Sequence, residues 1–236
     1  MILMYHKVDL MPVTEWWVSI DSFVRQMNDL SAYDVVYLDD YDAENPNQAV
    51  ITFDGMYENV LEYAAPILAD FGYPFEVFIT SDYLGKGNEF DTVEPYAKFC
   101  SEDQLEQTVL SGGRIQWHTK SHVKLVGAPD AVIKDELSVP ANLKQRFPSP
   151  NFKWFAYPHG TFCQKSYKYA QEMFSGALSV EQGSAKDKFA YNRTTVMENT
   201  RFSKAQVSVI IPNFNYGHFI TEAIDSVLNQ SMPADE

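Results

Sequence analysis

The chain has 236 residues, 45% of them hydrophobic, which is enough for a sizeable buried core and argues against a disordered tail. Its 32 acidic against 18 basic residues give a formal net charge of -14, which disfavours a nucleic-acid backbone or an anionic membrane surface and favours neutral or cationic ligands. Two cysteines, Cys100 and Cys163, without C-x-x-C spacing, read as buried or idle thiols of a reducing compartment.

Short apolar runs alternate with amphipathic segments, the pattern of an α/β protein with a parallel sheet or barrel. Strands are predicted at residues 2–5, 35–38, 49–53, 75–80, 114–117, 154–157 and 177–180. Between them, Val60, Ala64, Ile67, Leu68 and Phe71 recur at helical spacing until Gly72 and Pro74 stop the helix. Ser101 and Gln104 form a capping box for a second helix that ends at Gly112-Gly113. A third runs from Pro129 to Arg146 with a break at Pro140, and a fourth from Gln164 to Phe174. Residues 181–205 are polar and aperiodic, so a first domain is expected to close at 204. From 205 to 236 the pattern returns as the apolar strand VSVIIPNFN and a helix at 218–230, a unit too small to bury a core of its own. It either packs on the first domain or opens a second one.

In a parallel α/β fold the carboxyl ends of the strands line the functional face. His6, Asp54, His118, His122 and the run Tyr157-Pro158-His159-Gly160 fall there. Imidazoles spaced as in HTKSH stand on one side of a helical turn and make half a metal site; alternatively His118 caps a strand and His122 is a surface residue. Asp54 reads either as a chemical group or as the N-cap of a helix starting near Tyr57. Trp16 and Trp17 suit stacking on a sugar face or simple packing. The acidic cluster Asp39, Asp40, Asp42 and Glu44 reads as a solvated loop.

The segments LMYHKV, ITFDGMYEN, HTKSHVKL and FAYPHG, in this order, resemble the motifs of the polysaccharide deacetylases of carbohydrate esterase family 4. The resemblance implies a distorted (β/α) barrel over residues 1–204, with the strand-helix unit as an extra. It also implies hydrolysis of the N-acyl group of a sugar with the help of a divalent metal, zinc first and cobalt, nickel or manganese as alternatives. Asp54 would be the general base, His118 and His122 metal ligands, and Arg193 the residue that holds the catalytic carboxylate. Tyr157, Pro158 and Gly160, with Trp16, would wall the sugar site. His159, where the family has tyrosine, is the nearest candidate for the general acid. One departure stands out: Gly55 occupies the position of the family's second aspartate, a metal ligand, so the missing donor would come from water, Asp54, His6 or Asp82.

The tail is similar to the opening of a family 2 glycosyltransferase, which implies a fused glycosyltransferase domain in the full-length protein. MILMYHKVDL lacks the features of a secretion signal and no apolar run approaches the roughly 20 residues of a membrane span, so a cytoplasmic location is expected. The expected function is removal of an acyl group from an N-acylated glycan precursor in cell-surface polysaccharide or O-antigen synthesis. The alternatives are a degenerate deacetylase-fold module that binds glycan and positions the glycosyltransferase, and a metal-independent amide hydrolase.

Overall fold

The computed structural model describes residues 1–180, 182–202, 211 and 220–228. The chain divides into two compact units, Met1–Arg201 and Phe202–Glu236. In the first, the strands are β1 (Ile2–Tyr5), β2 (Lys7–Asp9), β3 (Trp17–Ser19), β4 (Asp34–Val35), β5 (Gln48–Asp54), β6 (Phe75–Ile79), β7 (Gly113–Trp117), β8 (Trp154–Ala156), β9 (Gly176–Ser179), β10 (Tyr191–Asn192) and β11 (Thr194–Thr195). The helices are α1 (Ile20–Asp29), α2 (Ala65–Phe71), α3 (Glu102–Leu110), α4 (Asp130–Leu137), α5 (Ala141–Arg146) and α6 (Gln164–Met173). In the second unit α7 spans Ile220–Leu228. The strand expected at 207–215 lies outside the described residues, Ile211 excepted.

All sheet pairings are parallel, in the order β10-β9-β8-β7-β6-β5-β1-β11, with β4 beside β5. β10 and β11 belong to one short run, Tyr191 to Thr195, which bonds to β9 with its first half and to β1 with its second. The amide of Arg193, at the midpoint, donates to Ser179 O at 3.1 Å, and that of Val196 to Met4 O at 2.9 Å. This run nearly closes the sheet into the expected (β/α) barrel.

Strand alternation decides what faces inward. Ile2, Val50, Phe78, Trp154, Ala156 and Leu178 form one buried cluster with Leu38 packed on it. Two and four residues beyond Val50 the same alternation brings up Thr52 and Asp54 on β5, and four beyond Ile2 it brings up His6 just past β1.

The capping box at Ser101 and the left-handed stop at Gly72 (φ 67) are present, and the predicted helix over 129–146 is split at Pro140 into α4 and α5. The first predicted helix begins instead as a π-turn, Val60–Ala64, before α2. Pro66 lies in the first turn of α2 and has no N–H to donate. The predicted strand at 35–38 shortens to β4, because Leu38 turns into a short 3₁₀ turn, Leu38–Asp40. Four elements were not anticipated: α1, the small β2-β3 pair, β10 and β11. α1 carries a visible signal, Ser19 as N-cap and Phe23, Met27 and Leu30 at helical spacing, all buried.

Glu76 is fully buried on β6 and accepts from the Leu38 amide at 3.0 Å and from Gln116 Nε2 at 2.7 Å. Burial pushes its carboxyl up to about 7 from 4.5. A folded-state value above the unfolded one means that the barrel binds the proton more tightly, so this contribution is complete below about 4.5 and is lost as pH rises through about 7. Urea midpoints of the wild type are expected to fall between about pH 5 and pH 8 more steeply than those of Glu76→Leu; equal slopes would contradict this assignment.

Candidate active site

A cavity of about 670 Å³ opens at the carboxyl ends of the barrel strands. Its wall includes His6, Lys7, Trp16, Asp54, Gly55, His118, His122, His159 and Gly160. The structure therefore brings together most of the residues picked from the sequence, contributed by separate chain segments.

Asp54 ends β5 and is 7% exposed. Its two oxygens accept from Nη1 and Nη2 of Arg193, each at 2.6 Å, a bidentate clamp between groups almost wholly removed from water. Burial alone would raise the Asp54 pKa, but the Arg193 guanidinium overrides it and holds the carboxyl well below its usual range. Arg193 Nη1 also lies 3.4 Å from Thr52 Oγ1, while its Nε has no partner among the described residues. Asp54 does not serve as a helix cap: no side-chain cap bond is made to the helical segment that follows.

His118 follows β7 and is 3% exposed. Its Nδ1 lies 2.8 Å from Ala156 O, and a carbonyl can only accept, so Nδ1 carries the hydrogen and Nε2 presents a lone pair. That Nε2 is 3.9 Å from Asp54 Oδ2. Burial lowers the pKa of His118, lowers His6 to about 4 and lowers His122 to about 3, so these three imidazoles are neutral at pH 7. The His6 ring packs against Trp16 with centroids 4.8 Å apart.

His118 and His122 do not share a helical turn. Residues 118–122 are an irregular loop with Thr119 at φ 70 and His122 at φ 58. Glu136 of α4 explains the shape, its carboxylate accepting from the amides of Lys120 and Ser121, both at 2.9 Å, while Thr119 Oγ1 accepts from the His122 amide at 3.0 Å. The side chains converge all the same: the His122 ring lies 4.9 Å from that of His118 and 4.9 Å from that of His159.

Tyr157 and Pro158 are buried and do not line the cavity, unlike Gly160. The Tyr157 hydroxyl donates to Phe189 O at 3.0 Å and its ring packs among Phe155 and Phe162, so alternation along β8 turns it into the surrounding core. Asp82 is not part of the cavity wall either. Sequence reasoning missed Lys7, which is 2% exposed and bonds Glu94 at 3.1 Å, and missed Tyr57 and Phe99, whose rings stack at 4.1 Å. Adjacency to His6 was the signal available for Lys7.

Gly55 has φ 77, and a Cβ there would meet Tyr57 at 2.7 Å and Phe99 at 2.9 Å. Gly55 therefore offers no side-chain oxygen, and the space beside it is closed by an aromatic pair. The residues present do not fit a set of one carboxylate and two imidazoles, and among the described residues no three carboxylate, imidazole or thiol groups are placed to hold one ion.

The barrel gathers an acid and imidazoles at its carboxyl-terminal mouth, the face on which barrels of this kind carry their functional groups. The polysaccharide deacetylase family model matches residues 42–174, more than half of the chain, and the chain belongs to that family. The fold is similar to that of the deacetylase PplD from Streptococcus pyogenes, solved in complex with acetate (19% identity, TM-score 0.70, covering 84% of this chain and 92% of that one). It is likewise similar to IcaB from Ammonifex degensii (20%, TM-score 0.70, 83% and 91%) and to a de-N-acetylase from Aggregatibacter actinomycetemcomitans (16%, TM-score 0.68, 85% and 96%). No curated protein matches the chain. Deacetylases of this family generally depend on a divalent metal.

Gly55→Asp is expected to destabilise the barrel by about 2–4 kcal/mol, from left-handed backbone and overpacking, without tightening zinc binding. Thermal melts and calorimetric titration check this, and a variant of wild-type stability that binds zinc more tightly would contradict it.

Proposed function

We propose that this chain is a hydrolase that removes an N-acyl group, acetyl in the first place, from a sugar unit of a cell-surface polysaccharide or O-antigen precursor in the cytoplasm. The observation that carries the reading is Asp54, clamped by Arg193 and 3.9 Å from the lone pair of His118 Nε2, at the wall of a cavity large enough for a sugar. A water in front of Asp54 attacks the amide carbon as Asp54 takes its proton. Collapse of the tetrahedral adduct then breaks the C–N bond, and His159 gives a proton to the departing amine. Trp16 offers an aromatic face for the sugar ring, and Gly160 forms part of the same cavity wall. The cofactor that family membership implies is a divalent ion, zinc ahead of cobalt, nickel or manganese. From residue 205 onward, sequence resemblance alone supports the start of a fused glycosyltransferase domain.

A second reading, a module that binds glycan without turning it over, is favoured by two observations. Gly55 supplies no ligand, and a carboxylate held this far below its usual range is a weak base. Acetate release from N-acetylated oligosaccharides separates the two. Hydrolysis is expected in the wild type and a loss of about 10² to 10⁴ in kcat/KM in Asp54→Asn; saturable glycan binding with no release in the wild type would favour the module.

A further inference from the structure

Glu94 is a buried carboxylate of the cavity wall that the chemistry above does not use. Only 9% of its side chain is exposed, and it accepts from three donors distant in sequence: Thr14 Oγ1 at 2.8 Å, Trp17 Nε1 at 3.0 Å and Lys7 Nζ at 3.1 Å. The Lys7 ammonium also lies over the rings of Tyr57, at 4.7 Å, and Trp17, at 5.2 Å. A buried ion pair adds little net stability over an apolar contact of similar volume, so stability alone does not account for this one.

What the three donors share is that they bracket Trp16. The Trp16 amide donates to Thr14 Oγ1 at 3.3 Å, the same hydroxyl that donates to Glu94, and the Trp16 carbonyl accepts from the Lys7 amide at 3.3 Å. The two adjacent indoles divide accordingly. Trp17 is buried with its N–H taken up by Glu94, whereas Trp16 is half-buried, stands in the cavity wall and packs on His6. Glu94 is itself delivered by a braced loop, closed at its base by the bridge between Gly87 and Lys98. Inside that loop the buried Asn88 side chain donates to Pro95 O at 3.0 Å and accepts from the Ala97 amide at 2.7 Å, and Asp91 Oδ1 accepts from the Glu94 amide at 3.3 Å. Hydrogen bonds thus run from the loop base to the backbone of the cavity-facing indole.

We infer that Glu94 is a positioning residue: through Thr14 and Trp17 it holds the Trp16 indole where a sugar ring stacks, and so sets the affinity for glycan and not the rate of the chemical step. The inference rests on reading Trp16 as the sugar platform of this cavity. A displaced platform weakens ground state and transition state alike, which raises KM and leaves kcat in place.

Calorimetric titration of the purified chain with a tetramer of N-acetylglucosamine, beside acetate release from the same sugar, tests the assignment. Glu94→Gln, which keeps the size and removes the charge, and Thr14→Val should each raise Kd and KM about tenfold with kcat within about threefold of the wild type. Trp16→Ala should do at least as much, and Glu94→Gln should add nothing further in the Trp16→Ala background, because residues acting through one another are non-additive. Glu94→Gln and Thr14→Val variants that bind as the wild type does, effects of Glu94→Gln and Trp16→Ala that simply add, or a fall in kcat with KM unchanged would each overturn the inference. The two readings are scored separately. Acetate release with binding indifferent to Glu94 overturns the positioning role and leaves the hydrolase reading standing, and Glu94-dependent binding without release does the reverse.

Discussion

The ion pair between Asp54 and Arg193 is the interaction on which this barrel and its site both depend. Each charge costs several kcal/mol to bury, and only good geometry with further hydrogen bonding repays that. Both oxygens of Asp54 meet the fork of Arg193 at 2.6 Å, with Thr52 beside it. Arg193 sits between the residues that pair with β9 and those that pair with β1, so the partner of the site carboxylate is also the residue at the barrel seam. Chemistry and closure are thereby linked: the seam aims the guanidinium, and the guanidinium keeps Asp54 ionised where burial would protonate it.

Settling that charge within the pair leaves the surrounding imidazoles free to remain neutral. His6, His118 and His122 are held below their ordinary pKa by burial, and the attraction of Asp54 is too weak to reverse this. The cavity therefore presents nitrogen lone pairs to whatever enters it. Gly55 fits the same picture, since an additional carboxylate there would add a negative charge where the Tyr57–Phe99 stack leaves no space.

The strand frame was legible because its apolar runs are short, regular and bounded, and alternation along β5 carries Val50, Thr52 and Asp54 inward in turn. Ser101 and Gly72 announced their helix ends by chemistry that acts locally. The run Tyr191 to Thr195 was not legible: it is polar and forms only two-residue pairings, so Arg193 was found by motif resemblance and not by periodicity. The geometry of HTKSH was misread because the shape of the loop is set by Glu136, which approaches from α4 and leaves no mark on the local spacing. Tyr157 was misplaced because a motif names positions without saying which alternate residue of a strand faces the cavity.

The most direct test of the ion pair is a double-mutant cycle on Asp54 and Arg193, followed by urea unfolding at pH 7. Arg193→Met alone should cost about 3–5 kcal/mol, because it strands a buried carboxylate. Adding Asp54→Asn removes that stranded charge, so the double variant should be more stable than Arg193→Met alone. A double variant less stable than either single one, with the two costs simply adding, would contradict the account.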